Sequence, residues 1–177
     1  HWAVAALGDV DGTKLVSATS GDIELGGETK DAAAKEEIDA KVKSLRDRIR
    51  TRLQETVSEV RVSERLTGSP ACLVVPEGGI SPHLERLVRA TQKDLAMPPQ
   101  KRILELNPTH PIVVALASLC EKAEESAESA GRVDDWIDLL YEQALVAEGS
   151  PLDDPGSFVK RVNALFEVAA SRAVAGG

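Results

Sequence analysis

The sequence predicts an α+β fold, mostly helical with a small three-stranded sheet, and three observations lead there. Apolar residues recur at intervals of three and four through most of the chain, the spacing that lines one face of a helix. Only three short runs are β-prone: the residues around Val60 and Val62, Ala71 to Val75, and Ile103 to Leu106. Aromatic residues make up 3% of the chain, so the core must come from Leu, Val, Ile and Ala, which suits helix stripes. Few strands among so much helix is the α+β pattern.

Taken in order, residues 1–30 stand apart. They are rich in Gly, Ser and Thr, with one alternating run, Lys14 to Ala18, behind an Asp11-Gly12 turn signal. A connector follows, and the domain boundary is placed there, leaving 31–177 as the second unit. Ala34, Ile38, Val42, Leu45, Ile49 and Leu53 then stripe a long helix, with Thr29 or Asp31 as its N-cap. Two strands follow, separated by Gly68-Ser69-Pro70 and closed by Glu77-Gly78-Gly79. Ser81-Pro82 starts a short helix, since Ser caps free amides and Pro fits the first helical position. Ile80, Leu84, Leu87 and Val88 lie along it until Met97-Pro98-Pro99 breaks it.

After the third strand, Asn107 to Pro111 forms an elbow into three further helices. Ile112, Val113, Leu116, Leu119 or Cys120, and Ala123 stripe the first. Val133, Trp136, Ile137, Leu140 and Ala144 stripe the second, with Asp134 and Asp135 read as lying at its positive end, and it stops at Gly149. Asp154-Pro155 opens the last, whose apolar face is Phe158, Val162, Leu165, Phe166 and Ala169.

The formal net charge of −8 argues against a nucleic-acid partner, because phosphate binding runs on Lys and Arg. The basic run Lys41, Lys43, Arg46, Arg48, Arg50 and Arg52 has helical spacing and no interleaved aromatics, so it reads as a solvated helix face. No apolar run reaches the ~20 residues that span a bilayer. Cys72 and Cys120 form no CxxC and read as reduced core residues of a cytoplasmic protein. His1 opens the chain, which reads as a piece of a longer one.

One string is enzyme-like. Asp9-Val10-Asp11-Gly12-Thr13 resembles the DxDGT nucleophile motif of haloacid-dehalogenase-type phosphotransferases. That chemistry needs the first Asp at the end of a buried parallel strand followed by α/β alternation, which does not follow here; a turn in a hairpin is the favoured reading. No phosphate-cradling or nucleophile-elbow pattern occurs, and His1, His83 and His110 share no metal-ligand spacing. No catalytic, cofactor or metal residue is assigned. A generic helical adaptor is the other alternative.

Trp136 through Gly149, continuing through Leu152-Asp153-Asp154-Pro155 to Phe158-Val159-Lys160-Arg161-Val162-Asn163, resembles the end of the bacterial ninety-kilodalton heat-shock chaperones, the HtpG family. Arg65 to Val74 and Leu104 to Pro111 are similar to that family's RLTDSPACVV and ELNPDHPLV strings. Asp11 to Ala18 and Gly21 to Gly26 resemble the close of its middle domain. The chain departs at Ile80 and Val162, where the family often has Met.

The resemblance implies a C-terminal dimerisation domain of an ATP-dependent chaperone. Its last two helices would pair with a second copy as a four-helix bundle through Trp136, Ile137, Leu140, Tyr141, Ala144, Phe158, Val162, Leu165 and Phe166. Spacing alone leaves open whether those stripes face a partner or this chain's own core. The resemblance also implies that the helix after Ser81 contacts unfolded clients through Ile80, Leu84, Leu87 and Val88; a core-facing stripe looks the same in sequence. It places ATP and Mg²⁺ in an N-terminal domain outside this chain, so this piece is expected to be no enzyme and to hold no cofactor. The partners implied are a second copy and unfolded proteins, with no nucleic acid and no membrane, in the cytoplasm.

Overall fold

The computed structural model describes residues 9–10, 13–14, 32–91, 100–123 and 127–175. Strands β1 (Asp9–Val10) and β2 (Thr13–Lys14) form an antiparallel hairpin. Then come α1 (Ala32–Arg52), β3 (Val57–Val62), β4 (Ala71–Val74), α2 (Pro82–Thr91), β5 (Arg102–Leu106), α3 (Pro111–Ala123), α4 (Ala127–Glu148) and α5 (Pro155–Ala175). The α+β class and the element order match the expectation. Asp9 pairs with Lys14 in a hairpin, not at the end of a parallel strand, so the DxDGT string lacks the setting that phosphotransfer needs. The Asp11-Gly12 turn, the run from Leu15 to Ala18, the Thr29 or Asp31 cap, the boundary near residue 30 and the Met97-Pro98-Pro99 break fall outside the described residues.

In the three-stranded sheet β5 is central, parallel to β3 and antiparallel to β4. Side chains alternate between faces along a strand. The registers Val60↔Leu104↔Leu73 and Val62↔Leu106↔Ala71 therefore put these residues on one face. That face belongs to a single aliphatic core with α1 (Val42, Leu45, Ile49), α3 (Val113, Leu116, Cys120) and α4 (Val133, Ile137, Leu140). The intervals of three and four in those helices are what bring each set to one side.

Local signals set the element ends. Ser81 Oγ accepts the Leu84 amide at 3.3 Å, and Asp154 Oδ1 accepts that of Ser157 at 3.0 Å, capping α2 and α5. At the end of α4, Gly149 takes φ 79°, Ser150 N–H donates to the Leu145 carbonyl, and Gly149 N–H to that of Val146. This is the paired-bond stop that favours glycine. Asn107 shapes the elbow before α3: its Oδ1 accepts both the amide and the hydroxyl of Thr109. His110 Nδ1 accepts the Ile112 amide at 3.2 Å, the elbow role expected for it.

One boundary differs from expectation. The second of the last three helices begins at Ala127, well before its stripe opens at Val133, so Asp134 and Asp135 sit about two turns inside α4. They do not lie at its positive end; the neighbouring helix explains at least one of them, as described below. Leu104 is fully buried at the centre of the sheet. Leu104→Ala should cost about 2–5 kcal/mol, read as a fall in the urea midpoint.

Candidate interaction surfaces

Most of the helix α4 stripe is spent inside the chain. Ile137, Leu140 and Ala144 are buried in the core, and Tyr141 is half-buried against it. Burial, followed by the Asp153 charge, raises the Tyr141 phenol above its ordinary value. Ile137, Leu140 and Ala144 thus have almost no area to offer a second chain; Trp136, at 36% exposure, does. Leu139 is buried as well, one turn before Glu142 and hence on the α4 side that meets α5.

Helix α5 is different in kind. None of its residues is buried, although Phe158, Val162 and Leu165 are half-covered. Val159 and Val168 are exposed, and Phe166 is 68% exposed. Close packing joins α5 to α4. Arg161 strengthens that seam by pairing with both carboxylate oxygens of Glu142. A 21-residue helix is therefore held along one edge while much of its apolar surface faces solvent.

The second surface is α2. Leu84 and Leu87 are 48% and 53% exposed, while Ile80 and Val88 are half-buried. The stripe that sequence left ambiguous is thus split, its two leucines outward. Gly78, at φ 73°, forms the turn in which Gly79 N–H donates to the Pro76 carbonyl, ending the approach from β4.

The basic run is the solvated face expected, with Lys41, Lys43, Arg50 and Arg52 exposed and Arg46 and Arg48 half-buried, and ion pairs add to it. Arg48 donates to Asp134 at 2.9 Å and to the Ala130 carbonyl at 2.7 Å; Arg52 holds Asp138 at 3.0 and 2.8 Å. These are two rungs, one turn apart on both helices, and they align one edge of this largely exposed basic face with α4. Partners so far apart in sequence cannot be matched from spacing. Such part-exposed pairs contribute about 0–1 kcal/mol each, enough to set alignment but not to hold the fold.

On the sheet face away from the core, Arg61, Glu105 and Cys72 form one row across the three strands. Buried Glu105 accepts from Arg61 at 2.8 Å, Arg65 at 3.0 Å and Ser63 at 3.1 Å. Burial pushes its carboxyl up, but the Arg61 hydrogen bond and the Arg65 charge win and hold it below the ordinary value. Cys72, half-buried beside it, is pushed up to about 11 by burial and then by the Glu105 charge. Its thiol stays protonated, and both cysteines are free. Cys120 is a core residue as expected, whereas Cys72 is not: its register puts it on the other face of the sheet. No cluster of three or more His, Cys, Asp or Glu fit to hold a metal occurs among the described residues. No helix there is long and apolar enough to cross a membrane.

Together these features define an α+β domain that displays two apolar helix faces at its surface. The family model described as Hsp90 protein matches residues 1–175. Chaperone protein HtpG of Myxococcus xanthus (strain DK1622) is 41% identical over 175 residues, covering 99% of this chain and 26% of the relative. HtpG of Nitrosococcus oceani is 42% identical over 168 residues, and HtpG of Dechloromonas aromatica 44% over 169; each match covers 94% of this chain. The chain spans about a quarter of the length of these curated relatives. It belongs to the Hsp90 family.

Because folding keeps the proton off Glu105, its stabilisation is complete above about pH 4.3, the ordinary Glu value. It is lost as pH falls from there through the lower folded value. Glu105→Gln should therefore lower stability at pH 7 and flatten the loss between pH 5 and 3, measured by urea unfolding at each pH.

Proposed function

We propose that this chain is the dimerisation domain of an ATP-dependent chaperone, tying two protomers together through α4 and α5 and offering α2 to unfolded client proteins. The carrying observation is α5: 21 residues, none buried, with Val159, Phe166 and Val168 exposed beside the half-covered Phe158, Val162 and Leu165. Contiguous exposed apolar surface of this extent marks an interaction site. The matching relatives carry the name chaperone, and the resemblance of Trp136 to Asn163 to the HtpG terminus supports self-association over a different partner.

The interface on this reading consists of Trp136, Phe158, Val162, Leu165 and Phe166. Ile137, Leu140 and Ala144 support it from within, and Tyr141 stands between the two sets. A stable dimer needs at least ~1,200 Å² of total buried area, and two α5 helices laid on each other's α4–α5 edge are suited to supply it. Tethering makes later contact between distant parts of the parent protein intramolecular, at an effective concentration that reaches ~mM for a well-matched span. ATP and Mg²⁺ would act elsewhere in that parent, in the cytoplasm, and this domain would transmit closure without chemistry of its own.

Sedimentation equilibrium over a dilution series tests the tether. The expected mass is twice the monomer's down to low micromolar. Phe166→Glu should raise the dimer dissociation constant at least ~10-fold, since burying a Phe contributes about 1.5–3 kcal/mol per copy. A folded monomer at every concentration would falsify the tether.

The client role is tested by Leu84→Ser with Leu87→Ser. Both side chains stand outward, so the melting temperature should stay within a few degrees. Binding of an unfolded protein, read by anisotropy, should weaken severalfold. A large fall in melting temperature would instead make them core residues.

A further inference from the structure

Arg102 is 6% exposed, and its one guanidinium serves three acceptors. Nη2 donates to Glu85 Oε2 on α2 at 2.6 Å, and Nε to Glu148 Oε1 in the last turn of α4 at 3.2 Å. Nη1 donates to the Gln100 carbonyl at 2.9 Å. Glu85 follows Leu84 directly on the helix with the exposed leucines. Glu148 directly precedes the Gly149 stop from which the chain turns towards α5. One buried cation thus holds the two elements on which both proposed surfaces depend.

The approach to α2 is tied to the same place. Gln100 Oε1 accepts the Ile80 amide at 2.8 Å. A Cβ on Gly79 would lie 2.0 Å from Gln100 Nε2, so only glycine lets the chain come this close. Among the described residues α2 packs extensively against no other helix or strand. Gln100 and the Glu85–Arg102 pair are therefore two of the contacts that set its orientation. A buried cation is sensitive to losing one of its carboxylates, because the contacts that remain must then balance its charge. Displacing Glu85 leaves Arg102 to Glu148 alone, so the guanidinium either settles onto Glu148 or follows Glu85 away from it.

We propose that Arg102 is a positioning residue that couples occupancy of the α2 apolar face by an unfolded polypeptide to association of the α4–α5 pair. The proposal rests on the tethering and client roles above. Coupling of this kind is reciprocal: whatever the bound polypeptide does to dimer affinity, dimerisation does to its affinity. The fork matters here, since a guanidinium holds its N–H groups in a fixed plane that spans both carboxylates, whereas a lysine ammonium is a compact point charge.

The test uses the whole chain, labelled with donor and acceptor dyes so that energy transfer reports the dimer. Reduced, carboxymethylated α-lactalbumin serves as the unfolded probe. In the native chain, saturating probe should shift the dimer dissociation constant about fivefold or more. Glu85→Gln cuts one arm and Glu148→Gln the other; each should reduce the shift below twofold. Arg102→Lys, which keeps the charge but not the fork, should do the same. Circular dichroism identifies a variant that misfolds, and the other arm then decides. A dimer that binds probe without any shift, or a folded arm variant that keeps the native shift, overturns the coupling alone. Absence of any dimer, or of any probe binding, overturns the underlying reading and the coupling with it.

Discussion

Strand β5 is buried from Arg102 to Leu106, and the rest of the domain is arranged around that constraint. Leu104 and Leu106 point into the aliphatic core and are covered by α1, α3 and α4. The same strand carries two buried charges, one at its start and one near its end. Taking an ion out of water costs several kcal/mol unless a partner and hydrogen bonds offset it. Glu105 has Arg61, Arg65 and Ser63. Arg102 has Glu85 and Glu148. Each set reaches beyond the sheet, to the segment after β3 in one case and to α2 and α4 in the other. Satisfying β5 therefore orders most of the domain at once.

The core that results is small and aliphatic, and it uses up the inner faces of α1, α3 and α4. Helix α4 turns Ile137, Leu140 and Ala144 inward, leaving only an edge for α5. Leu139 and the Arg161–Glu142 pair fasten that edge. Nothing remains within the described residues to cover Phe166, because the sheet is already occupied on its core face and closed by charge on the other. The exposed α5 surface follows from how completely the other elements are spoken for.

Much of this was legible in the sequence, for physical reasons that can be named. Helix stripes are read from spacing because a helix core face recurs every three to four residues. Ser81, Asp154, Gly149 and the Asn107 elbow were legible because caps and turns are local chemistry. The start of α4 was not, because the residues before Val133 carry no apolar stripe, yet the helix runs back through Gly131 to Ala127. The basic face of α1 was legible as solvated, but its partners were not: Arg48 and Arg52 meet Asp134 and Asp138 across 86 positions, and no local rule pairs them. Arg102 was missed altogether. An arginine before an apolar strand resembles a flanking charge until its two glutamates are seen to converge.

The split within the α4–α5 stripes was the hardest feature to read and carries the most functional weight. Spacing assigned Leu140 and Phe166 to similar apolar faces, yet one is sealed in the core and the other stands in solvent. What separates them is tertiary: α4 is pressed between the core and α5, whereas among the described residues α5 packs closely on α4 alone. A second copy of the same chain would bring the same half-covered helix, so each α5 could cover the other by a two-fold arrangement in which one patch meets its equivalent. A different partner would need an apolar groove evolved to match. Self-association asks only for what this surface already presents, and that economy favours it within the proposed function.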